Sequence, residues 1–523
     1  MARQKSERRT VPKGRGKPVS TRGASPGGGR AAPVDERTWQ LGLRFETAEQ
    51  PATRVVSADA GTDTGPPVSA PRAVPKSKRN EKTTTSATME EVCERLALAF
   101  QKVAANRGAP GPDRQSIEQV RDHLSELLPE LCETLLRGTY EPGGIRRVWI
   151  PKSGGGQRGL GIPNVVDRVV QEAVRLVIEP LYEPTFHEAS HGFRPGRSCQ
   201  TAIAAAYEHV DEGYEWVVDI DLEKFFDKVN HQRLMARLAQ RVGDRRLLVL
   251  IGRMLKAKVV MPDGVVASTD EGVPQGSPLS PLLSNIVLDE LDRELSQRGH
   301  RFVRYADDCN VYVRSERAGQ RVMASVTDFI ERRLRLKVNR QKSAVARPEE
   351  RHFLGFRLRR EPLDGSVEVL LSGRSKERLD SKIRELTPRT WGSSLAACIR
   401  AVNVYLLGWV SFFGICTTGV ERILGSVDAH IRRRLRAIQL KHWKTKRTTA
   451  RRLIQLGVSR KLAWRSTYAG RKSTWAASHA IAVDRGLRNA YFADRGLVSL
   501  AGEWKRRGRS IGAPAAQLRL ALG

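Results

Sequence analysis

Residues 301–314 read RFVRYADDCNVYVR. Apolar side chains flank a Tyr305–Ala306–Asp307–Asp308 centre, and the pattern predicts two short strands about a turn that displays two carboxylates. Paired aspartates in a turn usually meet only water. Upstream, EWVVDID at residues 215–221 predicts a buried strand, and strand alternation sets Asp219 and Asp221 on one face. The chain then passes from Leu222 to Asp227 through a turn containing Phe225 and Phe226. Between these segments, DEGVPQGSPLSP at residues 270–281 reads as a loop that opens a helix.

Carboxylates in such apolar surroundings are costly to bury unpaired. No His or Cys cluster stands nearby, so divalent cations held by oxygen ligands resolve the cost. Mg²⁺ suits because it accepts one or two carboxylates while keeping water and substrate phosphate. Two such ions about 4 Å apart can activate an attacking hydroxyl and stabilise a leaving oxygen in phosphoryl transfer.

Further out, Leu96, Phe100 and Val103 recur at helical spacing, as do Ile117, Val120, Leu124 and Leu128 after the turn-rich GAPGPD. IRRVWIPK, a glycine-rich turn and GLGIP predict a hairpin, followed by a long helix through Val165, Val169, Ala173 and Val177. Past about residue 370 helices take over, marked by Leu379, Ile383 and Leu386, by Ile399, Val402, Leu406 and Trp409, and by Ile423, Val427, Ile431 and Leu435. Residues 1–85 are rich in Pro, Gly, Ser, Thr and Arg without an apolar period, which predicts a disordered basic tail. The predicted architecture is an α+β body followed by a basic helical module.

Lys and Arg outnumber Asp and Glu by 90 to 57, a formal charge of +33. Nucleic acids are the commonest polyanions able to relieve that self-repulsion. An anionic membrane would serve too, but MARQKSERRT is no secretory signal. The longest apolar run, Val404 to Cys416, is short and interrupted by Gly408, Ser411 and Gly414, so no membrane partner is expected. Cys93, Cys132, Cys199, Cys309, Cys398 and Cys416 form no CxxC pair. Neither a zinc ribbon nor a disulfide framework is predicted, and a reduced, cytoplasmic setting is expected.

Two motifs are declined. His187–Glu188–Ala189–Ser190–His191 matches HExxH, but Pro184, Gly192 and Pro195 leave no helix long enough to present both histidines to one metal. Gly154, Gly156 and Gly159 fit GxGxxG, but strand-like Leu160–Gly161–Ile162–Pro163 follows where a dinucleotide fold would begin a helix.

Taken in order, Asp221-x-x-x-Phe225-Phe226, then Gly272-Val273-Pro274-Gln275-Gly276-Ser277-Pro278-Leu279-Ser280-Pro281, then Tyr305-Ala306-Asp307-Asp308 resemble the palm motifs of reverse transcriptases. Leu336-Lys337-Val338-Asn339 with Lys342, and Phe353-Leu354-Gly355-Phe356, resemble the two remaining palm motifs. Ile150-Pro151-Lys152 through Arg158, Asp167-Arg168-Val169-Val170-Gln171, and Gly192-Phe193-Arg194-Pro195-Gly196-Arg197-Ser198 resemble the fingers of group II intron enzymes. The resemblance covers most of residues 90–360, and it is to the bacterial group II intron-encoded reverse transcriptase/maturases.

That resemblance implies a right-hand polymerase with fingers and palm (an antiparallel sheet with helices) over residues 86–365. An all-α thumb/maturase (X) domain over 370–450 and a basic maturase/DNA-binding tail over 451–523 would follow. It implies catalytic Asp221, Asp307 and Asp308, and a metal set of Asp221, Leu222, Asp307 and Asp308 holding two Mg²⁺ ions. Asp219 rivals Asp221, and the spacing to Phe226 favours Asp221. Tyr305, Ala306 and Gly276 belong to the palm motifs. Phe226 would gate against a ribose 2′-OH, Gln275 would lie under the incoming dNTP and template, and Lys152, Arg158 and Lys342 would face the triphosphate.

In the helical module, Arg432, Arg433, Arg434, Lys441 and Lys444 are candidate RNA contacts. Asn403-Val404-Tyr405-Leu406-Leu407-Gly408-Trp409 resembles a piece of the maturase domain. Many relatives carry a Cys/His endonuclease domain at the C-terminus. No cysteine follows Cys416, so DNA cleavage is not expected and a primer would come from elsewhere. The implied partners are the intron lariat RNA and target DNA, with nucleoid association when DNA is bound and the oligomeric state open, a dimer included. The implied function is splicing support plus copying of the intron by target-primed reverse transcription. The alternatives are a splicing factor with a vestigial polymerase, and a domesticated reverse transcriptase in phage defence or CRISPR adaptation.

Overall fold

The computed structural model describes residues 87–151, 156–268, 270–388, 392–417, 419–469 and 473–510. The tail expected over residues 1–85 and the candidate Lys152 lie outside the described residues. The chain opens with helices α1 (Met89–Ala105), α2 (Ile117–Asp122) and α3 (Leu124–Leu136), then the hairpin β1 (Ile145–Pro151) and β2 (Gln157–Pro163). Helices α4 (Val165–Tyr182) and α5 (Cys199–Asp211) precede β3 (Trp216–Ile220). Then come α6 (Phe225–Lys228), α7 (His231–Leu238), α8 (Arg245–Leu255) and the short strands β4 (Val259–Val260) and β5 (Val266–Ala267).

Helix α9 (Ser280–Gln297) leads into the hairpin β6 (Arg301–Tyr305) and β7 (Asp308–Val313), followed by α10 (Glu316–Phe329) and β8 (Ala344–Ala346). After the hairpin β9 (Phe356–Arg360) and β10 (Val367–Leu371), the described elements are helical. They are α11 (Gly373–Leu386), α12 (Leu395–Phe413), α13 (Val420–His442), α14 (Lys446–Gln455), α15 (Arg460–Tyr468), α16 (Thr474–Ala477), α17 (Ile481–Gly486), α18 (Asn489–Ala493) and α19 (Leu500–Ser510).

Among the described residues this is a mixed α+β fold with three sheets, ordered β2-β1-β4-β5, β6-β7-β3-β8 and β10-β9. The second sheet is the structural centre, and its composition explains why. Val218 and Ile220 of β3 and Cys309, Val311 and Val313 of β7 enter one apolar layer with α1, α4 and α7–α10. Val217 and Tyr312 point the other way, into a layer formed by α5, β9, β10 and the C-terminal helices. Full burial of each Val or Ile side chain contributes roughly 1.5–3 kcal/mol. A strand anchored on both faces in this way can carry acids at its end without slipping register.

One expectation is corrected. Helix α12, marked in the sequence by Ile399, Val402, Leu406 and Trp409, begins at Leu395, and among the described residues it is the one helix long and apolar enough to cross a membrane by length and composition. The expectation that no apolar run reaches that length is therefore corrected. The cause is core packing: Cys398, Ile399, Val402, Leu406, Trp409 and Val410 are buried in the C-terminal layer. The β9–β10 hairpin also joins that layer through Phe356, Leu358, Val367, Val369 and Leu371. The hairpin's apolar face thus has the C-terminal helices as its partner.

Candidate active site

β3 and β7 run antiparallel with Ile220 opposite Cys309, so one step beyond the ladder Asp221 comes opposite Asp308. Directly opposed antiparallel residues have Cβ atoms about 5 Å apart. Strand parity places Asp219 and Asp221 on the face of Val217, and Asp308 on the face of Tyr312, which is the same side of the sheet. Tyr305 pairs with Asp308, leaving Ala306 and Asp307 as a two-residue turn. Ala306 adopts φ 56°, the left-handed conformation that tight hairpin turns demand.

The electrostatics follow from this crowding. Exclusion of water by the surrounding chain pushes the Asp308 carboxyl up most, and the charges of Asp307, Asp219 and Asp221 add to it, taking it to about 7. Asp308 still has an open surface, where solvent screens part of the repulsion. Asp307 is also raised, first by burial, while Arg158 on β2 draws it back down. The β1–β2 hairpin thus brings a cation within electrostatic reach of the acidic turn.

The two rivals for the first acid are separated by their partners. Asp219 is ion-paired with Arg351 at 2.6 Å, which gives it a structural counterion. Asp221 is met only loosely, by Lys342 at 3.5 Å, and its main-chain N–H donates to Ser343 Oγ at 3.0 Å. Lys342 is therefore beside a candidate metal ligand.

Leu222 can offer a cation only its main-chain carbonyl. It bridges Val338, with Glu223 N–H donating to Lys337 O and Asn339 N–H donating to Asp221 O. In such a bridge the Leu222 carbonyl faces away from Val338, toward the β7 side. All these donors are oxygens, which suits a hard cation such as Mg²⁺. Among the described residues no three His, Cys, Asp or Glu side chains close into a metal cage. An open set of this kind suits Mg²⁺, which completes its octahedron with water and substrate phosphate.

Phe226 is half-buried, edge-on to Phe225 with ring centroids 5.3 Å apart. Its carbonyl accepts the Val273 N–H at 2.6 Å, and Gly272, at φ 93°, leaves only 2.9 Å between an added Cβ and that oxygen. The 272–277 loop is thereby pressed onto the Phe226 turn. Gln275 accepts the Gly161 N–H at 2.7 Å, and Gly276, at φ 112°, packs on the Gly161 carbonyl. A buried Ser277–Gln171 hydrogen bond of 2.8 Å ties the same loop to α4. Asp221, Asp307 and Asp308 therefore lie within electrostatic reach of one another, with Arg158 near Asp307, while the loop carrying Gln275 and Gly276 packs on the Phe226 turn and on Gly161 of β2. Tyr305 packs with Phe193, ring centroids 6.4 Å apart, and burial raises its phenol pKa.

Two positions were not legible as individual residues. Gly192, within the 192–198 motif, would have a Cβ only 2.2 Å from the Ala306 nitrogen. Arg304, immediately before the acidic turn, is fully buried. Its position in the RYADD string was the available signal, but a charged residue in a strand reads as solvated.

Both declined motifs lack the geometry they would require. Residues 187–191 are non-helical. His187 stacks on Phe302 at 5.0 Å and His191 Nδ1 meets Thr201 Oγ1 at 2.9 Å. Gly159 lies inside β2.

In the helical layer, Arg433 lies over the Trp475 ring at 3.8 Å, and Arg434 donates to the Arg384 and Thr387 carbonyls at 3.1 and 2.6 Å. These two are engaged within the fold. Arg432 is half-buried, whereas Lys441 and Lys444 are exposed.

Fold and site together define a member of the RNA-directed DNA polymerase class. The family model "Reverse transcriptase (RNA-dependent DNA polymerase)" matches residues 150–358, and "Group II intron, maturase-specific domain" matches residues 376–456. The chain is 32% identical to Protein YkfC of Escherichia coli K12 over 352 residues, 60% of this chain and 90% of that protein. It is 37% identical to the group II intron-encoded protein LtrA of Lactococcus lactis subsp. cremoris over 209 residues, 40% of this chain and 34% of LtrA. It is 33% identical to the putative COX1/OXI3 intron 2 protein of Saccharomyces cerevisiae over 206 residues, 39% of this chain and 24% of that protein. The chain thus matches only about a third of LtrA and a quarter of the yeast protein. A solved partial Cas6-RT-Cas1–Cas2 complex shares 25% identity over 47% of this chain and 42% of that chain, at a TM-score of 0.31. A score that low says nothing about arrangement. The chain belongs to the family of group II intron-encoded reverse transcriptase/maturases.

Proposed function

We propose that the chain binds its group II intron RNA to promote splicing and copies it into cDNA, from a target-DNA primer, during intron mobility. The observation that carries the polymerase part is the facing pair Asp221–Asp308, with Asp307 in the adjoining turn and all three acids electrostatically coupled. In this reading residues 86–365 belong to fingers and palm, residues 370–450 to the thumb and maturase (X) domain, and residues 451–523 to a basic maturase/DNA-binding tail.

Asp221, Asp307, Asp308 and the Leu222 carbonyl would hold two Mg²⁺ ions. When bound, the ions lower the pKa of the attacking 3′-hydroxyl and neutralise the leaving pyrophosphate. The chain's own groups do the rest. Arg158, Lys152 and Lys342 draw in the triphosphate, the 272–277 loop floors the nascent pair, and Phe226 excludes water and the wrong sugar. The protein would work in the cytoplasm, on the nucleoid when DNA is bound.

Primer extension on an RNA template with Mg²⁺ and dNTPs tests the reading, combined with sequencing of RNA that co-purifies. No extension by folded wild-type protein would leave only an RNA-binding splicing factor. Co-purified RNA without intron features would favour a domesticated enzyme.

Two further outcomes are expected. Phe226→Val should raise ribonucleotide incorporation by about 10–100-fold, because removing the ring opens space worth about 1–3 kcal/mol of discrimination. Competing dNTP and NTP incorporation measures this, and unchanged discrimination removes Phe226 from the role. No acidic residue interrupts residues 429–483, whereas Lys and Arg recur through them. Substituting Ala at both Lys441 and Lys444 should therefore weaken RNA binding and reduce the log–log salt slope by roughly 1 per lost phosphate contact. Filter binding across a salt series reads the slope, and an unaltered slope places the RNA elsewhere.

A further inference from the structure

Strand β6 carries Arg304 into the interior, where its side chain has 0% exposure. A guanidinium can be tolerated there only if it is paired and its donors are satisfied. Nε and Nη2 grip the two carboxylate oxygens of Asp292 on α9 at 2.7 and 2.5 Å. Nη2 also donates to Ser190 Oγ at 2.7 Å, and Nη1 donates to Asn285 Oδ1 at 3.0 Å. The remaining contact is different in kind. Nη1 donates at 2.9 Å to the carbonyl of Ala306, the residue between Tyr305 and the two catalytic acids.

The other side of that turn is fixed by the same network. Asn285 Nδ2 donates to Gly192 O at 2.8 Å, and Gly192 lies flat against the Ala306 nitrogen. The main chain of Arg304 is itself locked, donating to Ala189 O and accepting from His191 N–H, both at 2.8 Å. Ala306 is thus held from both sides in the left-handed conformation that an alanine does not favour. A buried ion pair is weak support for stability, since apolar residues of the same volume often do as well. Its geometry here does something an apolar pair could not: a rigid fork connects α9, the 190–192 turn and the catalytic hairpin.

We propose that Arg304 is a positioning residue for catalysis, which through Asp292, Asn285 and Ser190 clamps Ala306 and sets the placement of Asp307 and Asp308 for cation binding. The proposal rests on the polymerase reading of those acids. Lys at this position keeps the charge but lacks the planar fork, so it cannot satisfy Asp292, Asn285, Ser190 and the Ala306 carbonyl together.

The test compares full-length wild type with Arg304→Lys and Asn285→Ala. Arg436→Lys, whose native side chain pairs with Asp484 in the C-terminal helices, serves as a remote ion-pair control. Arg304→Lys should lose about 100-fold in kcat, the usual cost of misplacing reacting groups by about 1 Å, with dNTP KM and template–primer affinity unchanged. Mn²⁺, titrated by electron paramagnetic resonance without substrate, should bind about tenfold more weakly, a loss of about 1.4 kcal/mol. Asn285→Ala leaves the ion pair intact and removes one arm of the clamp. It should lose about tenfold in kcat, which keeps the test decisive if Arg304→Lys does not fold. A purely structural role would lower melting temperature in both variants, as in Arg436→Lys, while folded protein kept wild-type kcat and Mn²⁺ affinity; that result overturns the proposal. Wild-type protein unable to extend a primer is a separate failure, of the polymerase reading itself.

Discussion

Asp308→Asn is expected to abolish cDNA synthesis, by at least about 10³-fold, because a metal's stabilisation of transition-state charge is worth several kcal/mol. The same variant should melt no lower than wild type. The two expectations have one cause. In the metal-free protein the Asp308 carboxylate is opposed by burial and by Asp307, Asp219 and Asp221, which hold it at about 7. An amide of the same shape removes that opposition together with the proposed metal ligand.

The pH dependence has a definite sign. A carboxyl whose folded pKa lies above its unfolded value favours the folded state while protonated, and that advantage is lost as pH rises through the folded value. In EDTA, wild-type stability should therefore decline between about pH 4 and pH 7, and Asp308→Asn should lack this part of the decline. Because the carboxyl borders solvent, the difference should be small, at most about 1 kcal/mol. Melting curves at pH 5 and 7.5 measure it, alongside primer extension. A variant that retained activity would remove Asp308 from the site. One that melted well below wild type at neutral pH would show that the carboxylate has a structural partner.

The parts of this molecule that were legible in the sequence are those where local pattern and long-range contact agree. Alternation in EWVVDID and RFVRYADDCNVYVR predicted both central strands, and parity alone put Asp219 and Asp221 on one face. Parity could not choose between them, because the choice depends on Arg351, more than a hundred residues away. Arg433 and Arg434 illustrate the reverse problem. In sequence they belong to a basic run that suits RNA, whereas in space Trp475 and the end of α11 take them. The apolar length of α12 was missed for a related reason: Arg400 and Asn403 interrupt the apolar run, and only the buried face shows the helix continuing back to Leu395.

Gly192→Ala is expected to cost far more than its size suggests, and the comparison with Gly196→Ala isolates the reason. Gly196 has φ 68° with open space around its absent Cβ. Alanine there meets only left-handed strain, about 1 kcal/mol, and activity should stay at the wild-type level. At Gly192 a Cβ would stand 2.2 Å from the Ala306 nitrogen and 2.9 Å from the Tyr305 carbonyl carbon. Both are main-chain atoms, so no side-chain rotation relieves the contact. Either the 190–192 turn withdraws, breaking the Asn285–Gly192 hydrogen bond, or the β6–β7 hairpin shifts. A stability loss of about 1–3 kcal/mol is expected from such overpacking, with a fall in kcat of about 100-fold if the acids are displaced by about 1 Å. Melting curves and steady-state primer extension separate the two effects. If folded Gly192→Ala copied RNA as fast as Gly196→Ala, the turn would have withdrawn without disturbing Asp307 and Asp308. The close approach would then be packing alone, with no part in aiming the acids.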